Sequence, residues 1–153
     1  MRIAVGSDHG GYALKVLLAG QLEASGHEVL DLGTDSEESV DYPDYGAAVG
    51  LAVAEGRAEL GLCACGTGIG ISIAANKIPG VRAALVHDAT TARLAREHNH
   101  ANVVCFGGRT TGTEVAGDAL RAFLAATPLG GRHQHRVDEI SALEADLTRK
   151  GNP

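Results

Sequence analysis

The chain has 153 residues, room for one domain around one core, and its 44% hydrophobic and 21% charged residues are the balance of an ordinary soluble globule. Aromatic residues are only 3%, with no Trp, and the net charge is −6, which speaks against single-stranded nucleic-acid binding on aromatic platforms and against duplex binding through a basic face. No apolar run approaches membrane-spanning length, the start Met1 to Asp8 turns polar too soon for a signal peptide, and Cys63, Cys65 and Cys105 form neither a disulfide framework nor a Cys-x-x-Cys pair, so a reducing cytoplasm is the expected setting.

Arg2 to Ser7 reads as a buried strand that ends in the polar turn Asp8-His9-Gly10-Gly11. Ala13, Leu14, Leu17, Leu18 and Leu22 then recur at helical spacing, with Gly26 as the stop. Glu28 to Leu32 is a second strand. Polar residues follow through Asp44, where Pro43 argues against a helix, and Tyr45 to Glu55 is an Ala- and Val-rich helix. Leu60 to Ala64 is a third strand running into a glycine loop, Ile71 to Asn76 a short helix, and Ala83 to Val86 a fourth strand. Asp88 caps a helix over Ala89 to Glu97, and Val103 to Phe106 is the fifth strand. Thr111 and Glu114 have capping-box spacing ahead of a helix whose apolar face runs from Val115 to Leu124. After Pro128, Gly130 and Gly131, the last helix carries a narrow stripe of Val137, Ile140, Leu143 and Leu147, which suits either its own core or a partner. Strand and helix in alternation predict an α/β, doubly wound (Rossmann-like), five-stranded parallel sheet with helices on both faces and an extra C-terminal helix, in one domain over residues 1–153. Ligands of such sheets bind beyond the carboxyl ends of the strands. Ser7 to Gly11, Cys65 to Gly70, His87-Asp88 and Gly107-Gly108-Arg109 fall on that edge.

The loop Cys65-Gly66-Thr67-Gly68-Ile69-Gly70 stands out. Alternate glycines allow a tight turn with several amide N–H groups pointing inward, suited to a phosphate or a developing oxyanion; a plain strand-to-helix turn uses the same residues. A dinucleotide fingerprint needs its third glycine at position 71, which is Ile71, and no Gly-Lys-Ser/Thr follows for a nucleotide-hydrolase loop. The Cys-x5-Arg pattern of a phosphatase is also broken at Ile71. An ordinary thiol, with a pKa of about 8.5, is a few per cent thiolate at neutrality; inward amides would favour a thiolate at Cys65, as nucleophile or base. Cys63 and Cys105 read as core residues, with Cys63 on the same strand face as Cys65, and two thiols alone make a poor metal site. His9 and His98 are read as facing this loop from two edges. Arg132, His133, His135 and Arg136 form the one basic cluster, placed at a helix N-terminus where cations oppose the dipole unless an anion binds.

Taken in order, Ser7-Asp8-His9-Gly10-Gly11, Asp41-Tyr42-Pro43, Cys65 to Gly70 with Ala74-Ala75-Asn76-Lys77, Arg96-Glu97-His98-Asn99 and Gly131-Arg132-His133 resemble the ribose-5-phosphate isomerase B family, which includes galactose-6-phosphate isomerase subunits. The resemblance implies a metal-free and cofactor-free aldose–ketose isomerisation of ribose 5-phosphate and ribulose 5-phosphate, a step of the pentose phosphate pathway. It implies Cys65 as the base moving a proton between C2 and C1, assisted by Thr67, with the amides of Gly66, Gly68, Ile69 and Gly70 holding an enediolate. It implies His98 in ring opening and Asp8 at the sugar. His9, Arg132, Arg136 and Arg109 would bind the phosphate, and Tyr42 and Asn99 would line the sugar site. Family members that use a Glu base carry it immediately after the last glycine, here Ile71, so the chain resembles the cysteine-base branch. The resemblance also implies a homodimer, or a tetramer, with each site shared between subunits. Competing expectations are the same chemistry on allose 6-phosphate, galactose 6-phosphate or a tetrulose 4-phosphate, and a non-catalytic flavin or nucleotide module on the same fold.

Overall fold

Strands that are apolar on both faces need cover on both sides. The computed structural model, which describes residues 1–151, supplies that cover. Strands β1 (Arg2–Ser7), β2 (Glu28–Asp31), β3 (Leu60–Cys65), β4 (Ala83–Leu85) and β5 (Val103–Gly107) alternate with helices α1 (Tyr12–Ala24), α2 (Tyr42–Ala54), α3 (Ile69–Ala75), α4 (Ala89–Asn99) and α5 (Thr113–Ala125), and α6 (Arg132–Lys150) follows. Every strand pair is parallel, in the order β2-β1-β3-β5-β4. This is the doubly wound α/β sheet that the alternation predicts.

Right-handed crossovers decide which helix covers which face. The steps β1 to β2 and β4 to β5 go one way across the sheet, and β2 to β3 and β3 to β4 go the other. Accordingly Leu14, Leu18 and Leu22 of α1, Ala92 and Ala95 of α4, and Leu120 and Phe123 of α5 pack with Ile3, Val5, Leu62 and Phe106. On the opposite face Val49 and Ala52 of α2 and Ile71 and Ala75 of α3 pack with Ala4, Cys63, Cys65, Val103 and Cys105. All six residues of β3 are buried. The direction of the chain reverses between β1 and β3, so the crevice of the fold opens where Ser7 and Cys65 end their strands.

Two local expectations change, and one left open is narrowed. α2 begins at Tyr42 rather than Tyr45, because Pro43 occupies the first turn, where a missing N–H breaks no helical bond and the fixed φ suits a helix. α5 is capped at Gly112, so the Thr111–Glu114 box does not form; the Thr111 hydroxyl is buried without a partner among the described residues. The stripe on α6 packs on the chain's own core only at Val137, which is 5% exposed, whereas Ile140, Leu143 and Leu147 are 48%, 64% and 69% exposed. Asp88 does cap α4, its carboxylate accepting from the Thr91 amide at 2.7 Å, and Gly26, at φ +82°, ends α1. No helix among the described residues is long and apolar enough to cross a membrane.

Candidate active site

β3 delivers Cys65 to the carboxyl edge of the sheet with its side chain on the α2–α3 face. The loop then turns back through Gly68, whose φ of +77° favours a residue without Cβ. That turn aims the Gly68 amide at Cys65, donating to Sγ at 3.1 Å. Thr67 Oγ1 accepts from the Ile69 amide at 3.3 Å. The loop is tied to the end of β5, with Gly108 N–H donating to the Cys65 carbonyl at 2.8 Å and Arg109 N–H to that of Gly66 at 2.9 Å. Tyr42, from the first turn of α2, lays its ring against the loop: a Cβ at Gly70 would sit 2.5 Å from Tyr42 Cζ.

The end of β1 forms the other wall. Asp8 N–H donates to the Ala64 carbonyl at 3.2 Å, and the Asp8 carboxylate accepts from Gly11 N–H at 3.0 Å, which holds the buried acid at the mouth of the turn. His9 Nδ1 accepts from the Val40 amide at 3.2 Å. The exposed Arg109 guanidinium lies over the glycines of both walls: a Cβ at Gly66 would be 3.2 Å from Nη1, and one at Gly10 would be 3.3 Å from Nη2. Asp8, His9, Tyr42, Cys65, Gly66, Thr67, Gly68, Ile69, Gly70 and Arg109 therefore share one edge. A thiol held by an amide, a glycine loop, a carboxylate and a cation share that edge. Beneath the loop Cys63 and Cys105 are register partners on β3 and β5. The Cys105 thiol is pushed well up by its hydrogen bond to Cys63, by complete burial and by the neighbouring sulfurs, so it stays protonated in the core.

The remaining candidates lie elsewhere in the chain. α4 starts at the carboxyl edge and runs back, so its last residues, His98 and Asn99, arrive at the amino edge. There Arg82, just before β4, accepts at its carbonyl from Asn102 N–H at 3.1 Å and donates through Nε to the His100 carbonyl at 3.1 Å. The first turn of α6 joins this edge: the His133 ring stacks on that of His98, centroids 4.1 Å apart and 12° from parallel. Arg132 and Arg136 are exposed on the same helix, one turn apart. Desolvation, followed by the charges of His98, Arg132 and Arg136, pushes the His133 pKa down. The expectation that His98 faces the cysteine loop therefore does not hold within one chain. Sequence reasoning also gave His133 no role of its own and overlooked the Val40 amide. The i, i+4 spacing of Arg132 and Arg136 marks a helix face, but nothing in the sequence announces the stacking. His100 is engaged structurally, its Nε2 bonded to the Leu129 carbonyl at 2.8 Å. Among the described residues no group of three or more His, Cys, Asp or Glu converges as a metal site.

Against this geometry, the sequence model of the ribose/galactose isomerase family matches residues 3–140. The chain is 48% identical to ribose-5-phosphate isomerase B of Escherichia coli K12 over 143 residues, covering 94% of this chain and 96% of that one. Its fold superposes on the structure of Clostridium thermocellum ribose-5-phosphate isomerase B with a TM-score of 0.95 at 49% identity, covering 96% and 99% of the two chains. It also superposes on ribose-5-phosphate isomerase B from Mycoplasma genitalium with bound ribulose-5-phosphate, at TM-score 0.90 and 40% identity over 94% and 96%.

Proposed function

The chain belongs to the ribose/galactose isomerase family, and on that premise we propose that it interconverts ribose 5-phosphate and ribulose 5-phosphate through an enediolate with Cys65 as the base. It is a sugar-phosphate isomerase. The observation that carries the finer reading is the Gly68 amide donating to Cys65 Sγ in a glycine loop walled by Asp8, Tyr42 and Arg109.

In this reading the Cys65 thiolate takes the proton from C2 of the open-chain aldose. The resulting enediolate leaves negative charge on its oxygens, which the amides of Gly66 and Gly70 receive as fixed dipoles, while the Gly68 amide holds the sulfur and the Ile69 amide holds Thr67 Oγ1. The Cys65 thiol then returns its proton to C1, the Thr67 hydroxyl assisting, and the proton that leaves one sugar oxygen is taken up by the other, so the isomerisation balances. Asp8 contacts the sugar, Tyr42 lines it, and His9 and Arg109 take the phosphate.

His98, Asn99, Arg132 and Arg136 enter this scheme from a second copy. Inside one chain the five residues of β5 separate the two edges by about 16 Å, whereas reacting groups must approach to about 3–3.5 Å. A homodimer that lays the amino edge of one subunit over the carboxyl edge of the other would bring ring opening by His98, the sugar contact of Asn99 and the two guanidinium groups to the site. The exposed apolar stripe of Ile140, Leu143 and Leu147 supports a subunit seam. The three unpaired buried thiols suit a cytoplasmic setting. A side-by-side assay of kcat/KM on ribose 5-phosphate, allose 6-phosphate and galactose 6-phosphate tests the substrate. Ribose 5-phosphate is expected to be preferred, and a higher kcat/KM on either six-carbon sugar would move the same chemistry to that substrate.

A further inference from the structure

Lys15 has no part in the chemistry above, yet it is 1% exposed, and among the described residues no other Lys or Arg is buried. Burying an ammonium is costly unless it is closely paired, and an apolar side chain of similar size is often as good for stability. Lys15 Nζ donates to both oxygens of Asp31, at 2.7 and 2.8 Å, and to the Thr34 carbonyl at 2.7 Å. The Asp31 side chain is 49% exposed, so this is no sealed core pair. These acceptors are the last residue of β2 and the segment that leaves it.

That segment is stitched to the end of β1, directly ahead of Asp8. Ser7 N–H donates to the Gly33 carbonyl at 2.7 Å, Thr34 N–H donates to the Ser7 carbonyl at 2.8 Å, and Asp31 accepts from Gly33 N–H at 2.9 Å. The other end of the same segment meets the site, where Val40 N–H donates to His9 Nδ1 at 3.2 Å. A ring nitrogen that accepts an amide proton carries none of its own, so the neutral His9 ring holds its proton on Nε2.

We propose that Lys15 is a positioning residue: by clamping residues 31–34 onto the end of β1, it holds the connection to α2 where the Val40 amide fixes His9 as an Nε2–H donor toward the bound anion. The identity of that anion, a sugar phosphate, rests on the isomerase reading; the tautomer of His9 and its dependence on Lys15 do not.

The test uses the full chain with Lys15→Met, read by steady-state kinetics on ribose 5-phosphate and by 15N–1H spectra of the His9 ring. The expected variant is folded, with a Tm within about 5 °C of the parent. Its KM rises about tenfold, the loss of roughly one hydrogen bond, with kcat nearly unchanged. Its His9 signature changes from a single Nε2–H tautomer to an exchanging mixture. A folded Lys15→Met protein with unchanged KM and an unchanged His9 signature overturns the proposal. If Lys15→Met does not fold, Asp31→Asn weakens the clamp from its exposed side, and there too an unchanged KM and signature overturn it. A parent protein whose His9 carries the proton on Nδ1 overturns it without any variant. Absence of turnover in the parent would sink the isomerase reading instead, leaving the ring spectra to decide the role of Lys15.

Discussion

Subunit pairing between two damaged chains separates a shared site from a site inside one chain. A heterodimer with Cys65→Ala in one subunit and His98→Ala in the other would hold one site with both changes and one site with neither, if each site takes Cys65 from one chain and His98 from its partner. The geometry makes the distinction sharp. α4 has 11 residues, about 16 Å of rise, and carries His98 from the edge where Cys65 lies to the opposite one. No side-chain rotation spans that distance. Each homodimer should lose about 10²- to 10⁴-fold in kcat, the range for removing a general acid or base. The purified heterodimer, isolated with two different affinity tags, should show about half the activity of the parent, because one of its two symmetric sites is intact. In an unfractionated one-to-one mixture with free exchange, half the dimers are mixed, so the recovery is about a quarter. Heterodimer activity no higher than that of the damaged homodimers would refute the shared arrangement.

Arg136→Ala should raise KM by about 10- to 100-fold with little change in kcat, because a charge-assisted contact to the phosphate, worth about 1.5–3 kcal/mol, is common to ground and transition states; an unchanged KM removes Arg136 from the phosphate site. Gly70→Ala should push the exposed Tyr42 ring off the loop, since its Cβ would lie 2.5 Å from Tyr42 Cζ, raising KM with a change in unfolding free energy below about 1 kcal/mol; an unchanged KM would deny the ring–loop contact. His133 should titrate below the ordinary histidine value in ring NMR spectra, its pKa depressed by desolvation and by His98, Arg132 and Arg136. The unfolded chain then binds more protons, so between about pH 6.5 and the lower folded value stability falls as pH falls; a titration at or above the ordinary value contradicts this.

The centre of the sheet was legible because β3 and β5 are runs with no polar face. Leu60 to Cys65 is buried throughout, and such a run, followed by glycine and a helix, has few other homes. The order of β4 and β5 was not legible, because alternation alone does not say on which side of β5 the fourth strand lies. Pro43 misled because its effect depends on whether it stands in the first turn or the interior of a helix, and pattern alone left that boundary open. The loop at Cys65 and its neighbours Asp8 and Arg109 could be grouped from the rule that ligands gather at the carboxyl ends of strands. The same rule, carried one helix further, places His98 at the far edge, since a helix that starts where β4 ends must finish where β5 begins. The tie from Lys15 through residues 31–40 to His9 left no trace in the sequence: a lysine on the first turn of an amphipathic helix reads as solvated until its burial is seen.

The proposed proton transfer by Cys65 is tested most directly by the Cys65→Ala protein. Isomerisation of ribose 5-phosphate and exchange of its C2 hydrogen with deuterated solvent should both fall by about 10²- to 10⁴-fold, while calorimetry finds the sugar phosphate bound within about threefold of the parent affinity, because the sulfur contributes to the transition state rather than to ground-state binding. Turnover and exchange near parent levels in that protein would contradict the assignment of Cys65 as the base.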